Sequence, residues 1–157
     1  MGKYNKFAAV LAAASGFAMA PQPAAAAVSP AEASKLRQLD IMLMVTSLRC
    51  RFGADNFQAD YDRFATNQNP LMQDAFRSLQ ADYTARMGPT QTKKALDSIS
   101  VGMANQYGQG HPWLGCGELK SIAQDLARTQ DAASLVAVAD DVLAAAPGIG
   151  TRVALRR

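Results

Sequence analysis

The chain has 157 residues, 49% of them apolar and 18% charged, and its 16 Lys and Arg against 13 Asp and Glu leave a formal net charge of +3. Lys3 and Lys6 account for most of that excess: the 131 residues after position 26 carry 14 basic and 13 acidic side chains, and three of the basic ones, Arg152, Arg156 and Arg157, lie in the last seven positions. The remainder has no basic stripe, which excludes a nucleic-acid-binding face, and the single histidine, His111, excludes any site that needs two imidazoles.

At the amino terminus Lys3 and Lys6 precede an uncharged, mostly apolar stretch from Phe7 to Ala20, followed by small residues. A transmembrane helix needs about 20 apolar residues, whereas this stretch has the length of a signal-peptide core. A cut after Ala18-Met19-Ala20 would leave Pro21 first, a poor substrate, so Ala24-Ala25-Ala26 with cleavage before Ala27 fits better. Residues 1–26 are therefore read as a secretory signal peptide and the mature chain as periplasmic or secreted. A normal single-domain length remains.

The mature chain reads as a succession of helices. Ser29-Pro30-Ala31-Glu32 combines an N-cap serine, proline at the first helical position and a glutamate three residues after the cap, a capping box. Apolar residues at Leu36, Leu39, Leu43 and Cys50, with Met42, Val45 and Leu48 beside them, predict a helix over 30–51. Ile41 to Val45 is apolar on all sides, so this helix either lies centrally in a bundle or offers a face to a second copy, a homodimer.

Gly53 ends the first helix and Asp55 or Asn56 caps the next, whose Phe57, Tyr61 and Phe64 recur at helical spacing and are expected in the core. Asn69-Pro70 interrupts a pattern that resumes with Met72, Phe76, Leu79, Tyr83 and Met87 and stops at Gly88-Pro89. Thr90 or Thr92 is expected to open a helix with Leu96, Ile99 and Met103 inward, closing near Tyr107-Gly108. The stretch from Tyr107 to Gly117 is too rich in glycine and proline for regular structure. A helix over 117–129 follows with Leu119, Ile122 and Leu126, and Asp131 caps a last one with Leu135, Val138, Val142 and Ala146, ended by Pro147-Gly148. No segment alternates with the period of a strand. The expected architecture is all-α, a bundle of five or six helices over 27–147, with 148–157 a basic flexible tail.

Cys50 and Cys116 are the only cysteines. In an oxidising compartment they are expected to pair, the competing reading being two buried thiols. Such a bridge restricts the topology. If every break reversed the chain, residue 107 would arrive at the end of the bundle opposite Cys50. If 55–87 is instead one descent, kinked at Asn69-Pro70 or begun by a crosswise helix, the two cysteines meet.

Chemistry-bearing patterns are sparse. His111, in Gly110-His111-Pro112-Trp113, has no serine in a nucleophile elbow to activate, since Ser100 lacks the first glycine of that motif. Asp140 and Asp141 diverge by about 100° on a helix and cannot act as a close pair. Gly148-Ile149-Gly150 lacks the third glycine and the preceding strand of a dinucleotide loop. Met42, Met44, Met72, Met87 and Met103 sit at positions that more often fill a core than hold haem or copper. Tyr107, His111 and Trp113 form the candidate binding loop, because aromatics on a pinned loop often carry recognition.

Leu39 to Val45, Arg49-Cys50-Arg51 and the run from Tyr107 through His111, Pro112, Trp113 and Leu114 to Cys116 resemble a family of small exported helical proteins of alphaproteobacteria, sphingomonad type. The resemblance covers roughly residues 30–145. Some relatives carry an automatic label of adenosylhomocysteine hydrolase, which does not suit this chain: that enzyme is much longer and built on an NAD-binding α/β fold. The resemblance implies no established activity and transfers no functional residue. The expected function is a non-catalytic binding or structural role outside the cytosol, with no cofactor or metal assigned; the alternatives are a small enzyme using His111 and a haem- or metal-binding bundle.

Overall fold

The computed structural model describes residues 28–144. The expected signal peptide and cleavage site, Ala146, the expected Pro147-Gly148 stop and the expected tail over 148–157 lie outside the described residues. Six helices make up the described part: α1 Pro30–Arg49, α2 Gln58–Asn67, α3 Asn69–Met87, α4 Pro89–Tyr107, α5 Cys116–Leu126 and α6 Ala132–Leu143. The class is all-α, with no strand among the described residues.

The start of α1 is the expected capping box. Ser29 Oγ accepts from the Glu32 amide at 3.3 Å, and Glu32 Oε2 accepts from the Ser29 amide at 2.8 Å. From there α1 runs through the centre of the bundle in contact with each of the other five helices. That placement accounts for its uninterrupted apolar run: Leu36, Leu39, Met42 and Leu43 are wholly buried, as is Thr46, whose hydroxyl donates to the Met42 carbonyl. Met44 and Leu48 remain exposed on the same helix.

Two helix starts differ from expectation. At α2 Phe57 occupies the N-cap and is fully buried, while Asn56 Oδ1 accepts from the Gln58 amide. Tyr61 is only half-buried, because its hydroxyl reaches out to Asp40 at 3.1 Å. At α4 neither Thr90 nor Thr92 is the cap: Gly88, at φ 78°, ends α3 and caps α4, with Pro89 as the first helical residue. Positive φ favours glycine there, and Thr92 is buried with its hydroxyl on the Gly88 carbonyl. The α5 helix opens at Cys116 on a Gly115 cap, whose amide donates to Glu118 Oε2.

The cysteines are bonded, S–S 2.01 Å and Cα–Cα 5.7 Å across a separation of 66 residues. Cross-contacts show how the chain brings them together. Tyr61 on α2 meets Asp40, Phe76 on α3 lies under the Arg37 guanidinium, and Ser78 donates to the Val28 carbonyl, so α2 and α3 both descend against α1. The return is made by α4, where Ser100 meets Arg37 and Tyr107 ends beside the loop that leads to Cys116. From Tyr61 to Phe76 the chain advances fifteen residues while the partner on α1 shifts only from Asp40 to Arg37, so α2 leads away across the bundle. Gln68 stands alone between α2 and α3.

No helix among the described residues is long and apolar enough to cross a membrane. Closing a loop of this length stabilises a fold by about 4 kcal/mol in the loop-entropy treatment. Replacing both cysteines with serine is expected to lower unfolding stability by about 2–4 kcal/mol, read from the urea midpoint at unchanged helical circular dichroism.

Candidate functional site

The candidate loop is a knot of side chains seated on α6. The Tyr107 and His111 rings stack at 5.3 Å between centroids, and Trp113 meets His111 edge-on at 4.8 Å. Gly110, at φ 110°, makes the bend that turns the imidazole back, and its amide donates to the Tyr107 carbonyl. Tyr107 is almost fully buried, and His111 and Trp113 are half-buried.

The hydrogen bonds of His111 define its tautomer. Nε2 lies 2.8 Å from the Val142 carbonyl, which can only accept, so Nε2 carries the proton. Nδ1 then accepts from the Leu114 and Trp113 amides at 3.2 and 3.4 Å. Trp113 Nε1 donates to the Ala144 carbonyl at 3.3 Å. Burial depresses the His111 pKa below its ordinary 6.5, outweighing the opposing pulls of the Val142 carbonyl and the Glu118 charge. Both imidazole nitrogens thus serve to close the loop over the end of α6, and burial also raises the Tyr107 phenol.

The other singled-out residues fall apart spatially. Asp140 pairs with Lys35 at 2.6 Å on the surface. Ser100 accepts from Arg37 and donates to the Leu96 carbonyl. Met42 and Met103 are buried in the core, Met72 packs against it, and Met44 and Met87 are exposed. Among the described residues no three His, Cys, Asp or Glu side chains come together in a metal-holding group.

A concave site does exist, at the opposite end of α1 from the cystine. It is an open groove of about 1010 Å³ between the start of α1, the α2–α3 junction and the α5–α6 turn. Val28, Leu71 and Val136 give it an apolar side, and Glu32, Arg128 and Thr129 a polar one. Its shape depends on two amides. Gln68, buried, donates through Nε2 to the carbonyls of Leu126 and Thr129 at 2.8 and 2.7 Å, and Asn67 Nδ2 donates to that of Ala127 at 2.9 Å. The bonds to Leu126 and Ala127 satisfy carbonyls at the end of α5, which a helix end leaves without intrahelical partners.

Sequence reasoning does not reach the groove, because its walls come from three separate connections whose residues are ordinary turn and cap residues. The one local signal is the pair Asn67-Gln68 at the break before Asn69-Pro70, two amides where a solvated turn needs none.

A second polar cluster lies midway along α1. Asp40 is mostly buried and its carboxyl is raised by desolvation, against the hydrogen bond from Tyr61 and the Arg37 charge; burial and the neighbouring Asp40 carboxylate push the Tyr61 phenol far up. The pair is a hydrogen bond between a packed phenol and a packed carboxylate, and it ties α2 to α1.

Comparison with protein-family models, with curated proteins and with solved structures finds no match.

The His111 geometry has a pH signature. A group whose folded pKa is depressed holds its full stabilising contribution above its unfolded value, here near 6.5, and loses it as pH falls through the folded pKa. Urea midpoints are therefore expected to be flat from pH 8 to 7 and to fall below about 6.5, before the carboxylates titrate. His111→Ala should remove that step and cost about 1–2 kcal/mol at pH 7.5, from the unpaired Val142 carbonyl and Leu114 amide. Gln68→Leu should cost about 1–3 kcal/mol by the same mechanism at α5.

Proposed function

We propose that this chain is exported and acts outside the cytosol as a small non-catalytic binding domain, taking its ligand in the groove between the start of α1 and the α5–α6 turn. The observation that carries the binding reading is the groove itself. At about 1010 Å³ it is at the upper end of the size of small-molecule sites, and it has the apolar wall and few convergent polar groups that such sites use.

Export is supported by the residues themselves and by the bond they make. A cationic start, an apolar core too short to span and an Ala-rich cut region before Ala27 form a secretion signal. Disulfides persist in oxidising compartments and are rare in the cytosol, and Cys50–Cys116 is such a bond. The resemblance to small exported helical proteins agrees with this.

Against a catalytic role for the loop stands the full use of His111. A general base must present a free nitrogen to the proton it takes, and here Nδ1 already accepts two amides while Nε2 donates to Val142. The binding reading therefore moves from the aromatic loop to the groove, and the loop becomes the clasp that holds the far end of the bundle.

Protein recovered from the periplasm tests both parts. Its intact mass should begin at Ala27 and rise by two hydrogens on reduction. Native mass spectrometry should show a non-covalent surplus that is lost in Ala133→Trp, which fills the groove from an exposed position on α6. A surplus unchanged by that substitution would place the ligand elsewhere, and its absence from the wild-type protein would remove the support for a tightly held one.

A further inference from the structure

We propose that the turn carrying Phe52 is an interfacial tip that docks this protein on an anionic membrane surface, with the Phe52 ring entering the headgroup boundary and Arg49, Arg51 and Lys120 on lipid phosphates. The inference is independent of the groove and its ligand.

Phe52 is 81% exposed, more than any other large apolar residue described. It follows the end of α1, on which Met44 and Leu48, four residues apart and so on one face, are also exposed. Three of the five exposed large hydrophobics thus follow one another at the carboxyl end of the helix whose other faces are the core of the protein. A contiguous exposed apolar patch on a small domain marks an interaction surface.

Basic side chains outnumber acidic ones around it. Six basic side chains, Lys35, Arg37, Arg63, Arg77, Arg86 and Arg128, have a carboxylate partner. Of the other basic residues described, Lys93 and Lys94 lie near the start of α4, at the far end of the bundle, whereas Arg49, Arg51 and Lys120 all lie at this end. The Arg51 guanidinium covers the Phe52 ring at 4.5 Å and donates to the Leu48 carbonyl, while Lys120 Nζ reaches the Ala54 carbonyl. Two acids share this end and are exposed as well, Asp55 against Gly117 in the first turn of α5 and Glu118 on the Gly115 amide, so the three cations exceed them by one.

Shape favours a lipid surface over a protein partner. Residues 51–56 are all exposed, forming a projecting turn rather than a recess, and a stable protein interface needs about 800 Å² on each side. A bilayer accepts a convex apolar tip and rewards flanking cations. The tip is also held in place before it docks. Cys50, immediately before it, is bonded to α5, and Asn56 Nδ2 closes the turn onto the Arg51 carbonyl at 2.9 Å.

The test is co-sedimentation of the mature, oxidised protein with vesicles of phosphatidylglycerol and phosphatidylethanolamine, against vesicles of phosphatidylcholine, at low and high salt. Binding should favour the anionic vesicles and weaken with salt. Phe52→Ser should lower the partition coefficient by about tenfold or more, and the double variant Arg49→Gln with Arg51→Gln by about twentyfold, with a flatter salt dependence. All these side chains are exposed, so thermal unfolding should be unchanged in both variants. Equal binding to neutral vesicles, undiminished binding of Phe52→Ser, or self-association that depends on Phe52 in the absence of lipid would each overturn the proposal, the last by showing that a second copy covers the tip.

Discussion

The central position of α1, in contact with all five other helices, is the constraint from which the rest of the structure follows. A helix that is apolar on every side between Ile41 and Val45 cannot rest against one neighbour, and the chain answers by setting five other helices around it. Each must then reach α1 from a different direction. Together they bury its faces except for the strip that runs through Met44 and Leu48.

Surrounding one helix on all sides places heavy demands on the connections. The α2 helix leads away across the bundle because α3 and α4 need the long faces of α1, and the consequence is a helix end, that of α5, whose carbonyls must be satisfied from elsewhere. Gln68 and Asn67 do so. At the other end the covalent bond between Cys50 and Cys116 joins the last turn of α1 to the first of α5, and His111 joins the intervening loop to the end of α6. The polar chemistry at both ends is engaged in closing the bundle. Two features stand outside that closure, the groove beside Gln68 and the projecting turn at Phe52.

Much of the helix order is legible in the residues. The capping box at Ser29 and Glu32, the stop at Gly88, the Asp131 cap and the apolar spacing of α3, α5 and α6 are local signals, since each depends on residues three or four positions apart. The disulfide is legible too, and with it the broken descent through α2 and α3, because parity along a bundle depends only on counting reversals. Where local patterns mislead, they do so by a few residues and for local reasons. Thr90 and Thr92 have the chemistry of caps, yet a glycine at positive φ followed by proline starts the helix earlier, and Thr92 instead supplies a buried hydroxyl bonded within its own turn.

By itself, then, the sequence determined the all-α class, the helix boundaries to within a few residues, the pairing of its two cysteines and the charge that remains once Lys3 and Lys6 are set aside. Tertiary structure alone decided what the polar residues are for. The His111 loop is marked in the sequence by aromatics and a lone imidazole close together, whereas the carbonyl that occupies Nε2 comes from Val142, on another helix. The groove is built from residues near positions 30, 70 and 130 that no local pattern connects. Periodicity and capping act over a turn of helix, whereas the availability of a hydrogen-bonding atom depends on whatever packing brings against it.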